Sequence, residues 1–248
     1  MRSRSALPHI AVSAATVAIL TLMPAAMLAT ATSTAAAATP TIEASYTSAG
    51  PYATTSGTVT DASGVSYLFY RPADYSALGF KSPIVTWGDG SGASPGQYSN
   101  LLTHFAAFGF TVIALNKTDT GSGIGIAAAV SYLVSANNTA GSVFSGHLDP
   151  AHVAAVGHSQ GATGAVRAAS ANPSLITSVL TFSLPDVKWA AANSDCPTKA
   201  DCTHNMALLT QPTFLLATHG FADSIIAPPA TEKTDFNSIH GRAVMGLI

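Results

Sequence analysis

HVAAVGHSQGATGAVRAA, residues 152–169, is the stretch that decides the fold. His152-Val153-Ala154-Ala155-Val156 suits a short buried strand, and Ala162, Val166 and Ala169 then recur at helical spacing on a small-residue face. Between them stands Gly157-His158-Ser159-Gln160-Gly161, a G-x-S-x-G pattern. Alone the pattern is a common Gly-Ser turn. Between a strand and a helix it describes a reversal so tight that a Cβ on either flank would clash, with the serine hydroxyl raised above the carboxyl end of the strand. The following helix points its positive end at that hydroxyl. The Gln160 amide, in the first turn, has no partner within the helix.

The rest of the chain supplies strands and helices in alternation. Thr41 to Ser48 and Gly57 to Tyr70 alternate apolar and polar residues and read as two or three antiparallel edge strands. Ser82–Trp87, Phe110–Leu115, Ile176–Ser183, Pro212–Ala217 and Arg242–Ile248 read as further strands. Helices are expected over Gln97–Phe108, Gly125–Ser135 and Thr231–Ile239. Such alternation gives an α/β protein with a mostly parallel central sheet flanked by helices. Its ligand crevice lies at the carboxyl ends of the strands, where Gly88–Gly92, Ser159, Leu184 onward and His219–Asp223 are expected to converge.

Composition narrows the partners. Only 9% of the 248 residues are charged, the formal net charge is −2, and 48% are hydrophobic. One domain, residues 39–248, can bury a sizeable core. Neither a basic excess nor a phosphate-binding loop of the G-x-x-x-x-G-K type is present, so nucleic acid is not an expected partner. Residues 1–38 read as a signal peptide: Arg2 and Arg4, an apolar run from Ile10 to Leu28, and small-residue cleavage patterns at Ala29-Thr30-Ala31 and Ala35-Ala36-Ala37. The rival reading is a retained anchor; Pro24 and the alanine-rich tail favour cleavage, a secreted protein and no stable membrane insertion. Export permits disulfides, and Cys196 and Cys202 are expected to pin a surface loop. A metal is not expected, since only His204 lies near the cysteines and structural zinc takes four ligands. Asn116-Lys117-Thr118 and Asn137-Asn138-Thr139 fit the glycosylation pattern.

A serine hydroxyl needs a base, and the oxyanion it creates needs donors. The Gln160 amide is one donor; Asp89 or Gly90, on the loop after the Ser82–Trp87 strand, supplies the other. Here the chain resembles the α/β-hydrolases, and among them the secreted cutinase and polyester-hydrolase (dienelactone-hydrolase-like) esterases. The resemblance rests on Val156–Gly161, on Pro83–Gly88 and on Asp223-Ser224-Ile225-Ile226-Ala227-Pro228. It implies catalytic residues in the order Ser, Asp, His, with Ser159 as nucleophile and Asp223 as acid. Asp186, just after the preceding strand, is the rival acid. Gly90, His158, Trp189 and His219 are candidate substrate contacts. His158 itself diverges from Ser159 and is a poor base. The resemblance puts the base on the loop after the last core strand, but the chain stops inside Arg242–Ile248. The expectation is therefore a domain truncated at its carboxyl end, with the base beyond Ile248 and His219 a weaker substitute. The function expected is a secreted serine carboxylic-ester hydrolase, acting through an acyl-serine on lipid-like, small-molecule or polymeric esters without a cofactor. The alternatives are a non-catalytic surface binding protein, or a peptidase or acyltransferase on the same fold.

Overall fold

A computed structural model describes residues 41–248 other than 219, 221 and 222. The expected signal segment and His219 lie outside the described residues. Among the described residues eight strands form one sheet: β1 (Thr54–Thr60), β2 (Ser66–Pro72), β3 (Ser82–Gly88), β4 (Thr111–Leu115), β5 (Leu148–His158), β6 (Ser178–Phe182), β7 (Thr213–Ala217) and β8 (Ala243–Leu247). Their spatial order is β1-β2-β4-β3-β5-β6-β7-β8. The β1–β2 and β2–β4 pairs are antiparallel, and all other pairs are parallel. The helices are α1 (Ile42–Thr47), α2 (Ser99–Ala107), α3 (Ile124–Asn137), α4 (Gln160–Ala171), α5 (Asp223–Ile226) and α6 (Pro229–Ser238).

The unbroken apolar runs of the central strands follow from burial on both faces. Successive side chains alternate sides. On β4, Val112 and Ala114 join one core, with Val85, Trp87, Val156, Leu102 and Ala106. Ile113 and Leu115 join the other, with Ile84, Ala155, Ile126, Leu133, Ala162 and Val166. Helix α2 covers the first face, and α3 and α4 cover the second. Ala162, Val166 and Ala169 are fully buried, as their helical spacing requires. Small residues there let α4 lie close to the sheet, and long side chains would hold it away.

The edges depart from the expected pattern. Thr41–Ser48 is not a strand. It holds helix α1, because the Thr41 hydroxyl accepts the Ala44 amide at 3.2 Å and caps a helical turn. Helix α1 rests on α2, where the Tyr46 carbonyl lies 2.9 Å from His104 Nε2. Strand β5 begins at Leu148, earlier than its apolar run. Pro83 pairs with Asp149 but Ile84 with Val153, so residues 150–152 bulge from the ladder. No helix of the described residues is long and apolar enough to cross a membrane.

Candidate active site

Strand β5 ends at His158 and α4 starts at Gln160, which leaves Ser159 to make the whole reversal. It does so at φ 53° and ψ −122°, a conformation that costs a non-glycine residue about 1–3 kcal/mol. Its amide donates to the Phe182 carbonyl at 3.0 Å, and its carbonyl accepts from Ala162 at 2.8 Å. The flanking glycines are required by contact. A Cβ on Gly157 would lie 2.1 Å from the Gly161 carbonyl oxygen. One on Gly161 would lie 2.1 Å from the Gly88 carbonyl and 2.6 Å from the Asp89 amide nitrogen. The turn is therefore clasped against the end of β3.

That contact sets the Asp89 amide beside the turn. The Asp89 side chain points inward. It is fully buried, with Oδ1 accepting the Trp87 indole N–H at 2.8 Å and Oδ2 without a partner. Burial pushes its carboxyl up to about 7. The Asp89 carbonyl accepts from Thr120 Oγ1 at 3.2 Å, and the Gln160 side chain accepts the Thr120 amide at 3.2 Å. Loop 118–123 thus braces both residues expected to donate to an oxyanion. The Gly90 amide, the other expected choice, donates to the Tyr98 hydroxyl at 3.1 Å.

Two hollows open at this end of the sheet. The first, about 210 Å³, is lined by Ser159, Gln160, Thr163, Asp186, Trp189 and His204 among others. The second, about 350 Å³, is lined by Trp87, Tyr98, His158, Phe182, Ser183 and Asp223 among others. Asp223 begins α5, and its Oδ2 accepts the Gly220 amide at 3.2 Å. It is close enough to His158 to favour the charged imidazole, but burial outweighs it and leaves His158 below the usual histidine range. Asp186 serves its own loop. Its carboxylate accepts the Lys188 amide at 2.9 Å and pairs with the Lys188 ammonium at 3.0 Å, contacts that hold it below the usual range. Trp189 is 47% exposed at the rim, where its indole N–H donates to the Ile225 carbonyl at 2.9 Å. The carbonyl of neighbouring Ile226 accepts the Asp186 amide at 2.8 Å. These bonds stitch the loops after β6 and β7 together.

Cys196 and Cys202 form a disulfide with Cα atoms 5.5 Å apart. Its loop is anchored on α4 by Arg167, whose guanidinium donates to the Ala200 and Thr203 carbonyls. The same loop delivers His204, a residue that the sequence alone leaves in a polar connection. It is 4% exposed, with Nδ1 3.4 Å from Thr163 Oγ1 and Nε2 3.3 Å from Asp235 Oδ2. Only docking of the disulfide loop brings it there; no local pattern around Cys202-Thr203-His204 signals it. His240 is exposed and precedes β8, at the amino ends of the parallel strands. Among the described residues no group of His, Cys, Asp or Glu could hold a metal ion.

No protein-family model matches the chain, and no curated protein matches its sequence. The functional reading therefore rests on geometry.

Proposed function

We propose that the chain is a serine ester hydrolase on an α/β-hydrolase-like scaffold, exported from the cell and acting through an acyl-serine. The observation that carries this reading is the strained Ser159, held between β5 and α4 by glycines that admit no Cβ. Among the described residues its hydroxyl has no hydrogen-bond partner, and it faces a cavity. Backbone strain of this kind persists where surrounding structure over-determines it and is concentrated at functional sites.

In the proposed reaction the Ser159 oxygen attacks the ester carbonyl while its proton passes to an imidazole. The Gln160 and Asp89 amides receive the oxyanion. Collapse expels the alcohol, which takes the proton, and water then releases the acid from the serine. Asp223 orients the imidazole and stabilises its charged form. The cavity of about 210 Å³ receives the acyl group, with Trp189 at its rim.

The base is the member to which no described residue is assigned. His158 gives Nδ1 to Tyr98, His204 is held by Thr163 and Asp235, and His240 lies at the other end of the sheet. That gap favours one second reading, a surface protein that holds an acyl or ester ligand without turning it over. Hydrolysis of p-nitrophenyl butyrate and fluorophosphonate labelling separate the two. The hydrolase reading expects a phosphonylated Ser159 and a loss of order 10⁴ or more in Ser159→Ala. Hydrolysis that survives Ser159→Ala would sink it. Ligand binding with neither turnover nor label would establish the second reading.

A further inference from the structure

His158 and Tyr98 share a hydrogen bond that nothing in the reaction above uses. The Tyr98 oxygen lies 2.9 Å from His158 Nδ1 and 3.1 Å from the Gly90 amide nitrogen. Three elements meet there: the nucleophile turn, the loop after β3, and the first turn of the helical segment that begins at Pro95. The tyrosine ring is set by Trp87, whose centroid is 4.8 Å away. Its segment is fixed by a Ser94–Gln97 capping box. The space is closed around the oxygen: a Cβ on Gly90 would lie 2.8 Å from His158 Nδ1 and 2.9 Å from the Tyr98 oxygen.

The protons of this chain can be assigned. The Gly90 N–H can only donate, so the Tyr98 oxygen accepts it. The hydroxyl has one proton of its own, and the remaining partner is Nδ1. With His158 neutral, Nδ1 accepts that proton and the ring carries its hydrogen on Nε2. Burial of His158 favours this neutral form.

We propose that Tyr98 and His158 are positioning residues that lock the loop after β3 through the Gly90 amide, and so aim the neighbouring Asp89 amide at the oxyanion. This rests on the hydrolase reading of Ser159. Gly90 is adjacent to Asp89, so the loop cannot swing without breaking the Tyr98 bond. A donor displaced by about 1 Å costs about 10²-fold in rate, close to the loss of the donor itself. The loss falls on kcat, because the donor acts on charge that develops only in the transition state.

The test uses Tyr98→Phe, His158→Leu and His158→Asn in the full chain, with p-nitrophenyl butyrate as substrate. Tyr98→Phe removes only the hydroxyl and is expected to lower kcat about 10²-fold with KM within about threefold. His158→Leu should match it, and the double variant should be no worse than either single one, because both cut one chain. His158→Asn, which restores an acceptor near Nδ1, should recover most of the rate. A kcat unchanged in Tyr98→Phe, or losses that multiply in the double variant, would overturn the proposal. A readout independent of catalysis is the Gly90 amide. Its hydrogen exchange should accelerate in Tyr98→Phe, and ring ¹⁵N shifts of His158 should report the Nε2–H form. If no form of the chain that carries a base hydrolyses esters, the hydrolase reading fails while these two signals still stand. If Gly90 exchange is unchanged by Tyr98→Phe, the lock fails whatever the activity.

Discussion

Ser159 and Ser183 end neighbouring parallel strands and begin alike. His158 pairs with Phe182 in the ladder, so the two serines are the next residues along β5 and β6. Both adopt positive φ, 53° and 49°, the only described non-glycine residues to do so. Each donates its amide at 3.0 Å to a carbonyl of the next strand, Phe182 or Leu216. There the likeness stops. The Ser183 hydroxyl is tied to Thr218 Oγ1 at 2.7 Å, and the residue is 6% exposed. Ser159 lines an open cavity, and a helix starts at the next residue. Strain at a strand end is thus not distinctive by itself. The two serines differ in the element that comes after each and in the partner that each hydroxyl meets. At one the hydroxyl closes a structural bond; at the other it has no partner among the described residues and stands beside the amides of a helix N-terminus.

The contrast can be broken at several points. The largest effect is expected on catalysis: Ser159→Ala should lose four or more orders of magnitude in ester hydrolysis, whereas Ser183→Ala should stay within about threefold, in one p-nitrophenyl butyrate assay. The next is on folding. Gly157 pairs with Thr181 in the ladder, yet only the strand of Ser159 requires glycine there. Gly157→Ala should cost more than about 3 kcal/mol or prevent folding, because the added carbon meets backbone that cannot yield. Thr181 is buried with its hydroxyl unpaired, so Thr181→Val should be neutral or stabilising by up to about 1 kcal/mol in denaturant unfolding.

A third difference lies in the acid beside each strand end. Asp89 backs the Ser159 turn, and burial raises its carboxyl to about 7. Glu232 lies beside Leu184, the residue after Ser183. It is fully buried with no hydrogen bond closing on either oxygen. Burial, then Asp235 and Asp223, raise it to about 8. Both values lie above those of an unfolded chain, so the folded protein keeps protons that the unfolded chain has released. Their contribution is fully present below about pH 4 and is lost as pH rises through about 7 and 8. Thermal unfolding from pH 5 to 9 should therefore show falling stability, by up to about 1.4 kcal/mol per pH unit for each group. Asp89→Asn should reduce the fall up to about pH 7 and Glu232→Gln should reduce it up to about pH 8, leaving no fall between 7 and 8; an unchanged slope in both variants would refute the assignment. The smallest effect concerns strain. Relative to Ser159→Ala, Ser159→Gly should stabilise by about 1 kcal/mol, while Ser183→Gly should sit near the wild type, since relief of strain is offset by loss of the Thr218 bond.

These contrasts also mark where sequence reading stops. Gly157 announces the turn because the turn's own backbone leaves no room for a Cβ, and Gly161 because the end of β3 presses on it. Ser183 has no such flank, and its hydroxyl meets its partner only in Thr218, a residue 35 positions later. Residues 41–48 read as a strand because their polarity alternates, but the cap by Thr41 makes Ile42–Thr47 a helix instead. Gly90 and His158 could be chosen as site residues for standing next to Asp89 and Ser159, but their pairing through Tyr98 depends on two strands and a helical turn meeting.

The sequence by itself determined the strands buried on both faces, the small-residue face of α4 and the abrupt turn at Ser159, because each leaves its periodicity or its glycines within a few residues of chain. Tertiary structure alone decided that Asp89 is buried with one oxygen unpaired, that the disulfide loop lays His204 on Thr163 and Asp235, and that Tyr98 ties Gly90 to His158. Each of these joins residues far apart in the chain, and burial and hydrogen-bond partners across such distances exist only after the sheet has assembled.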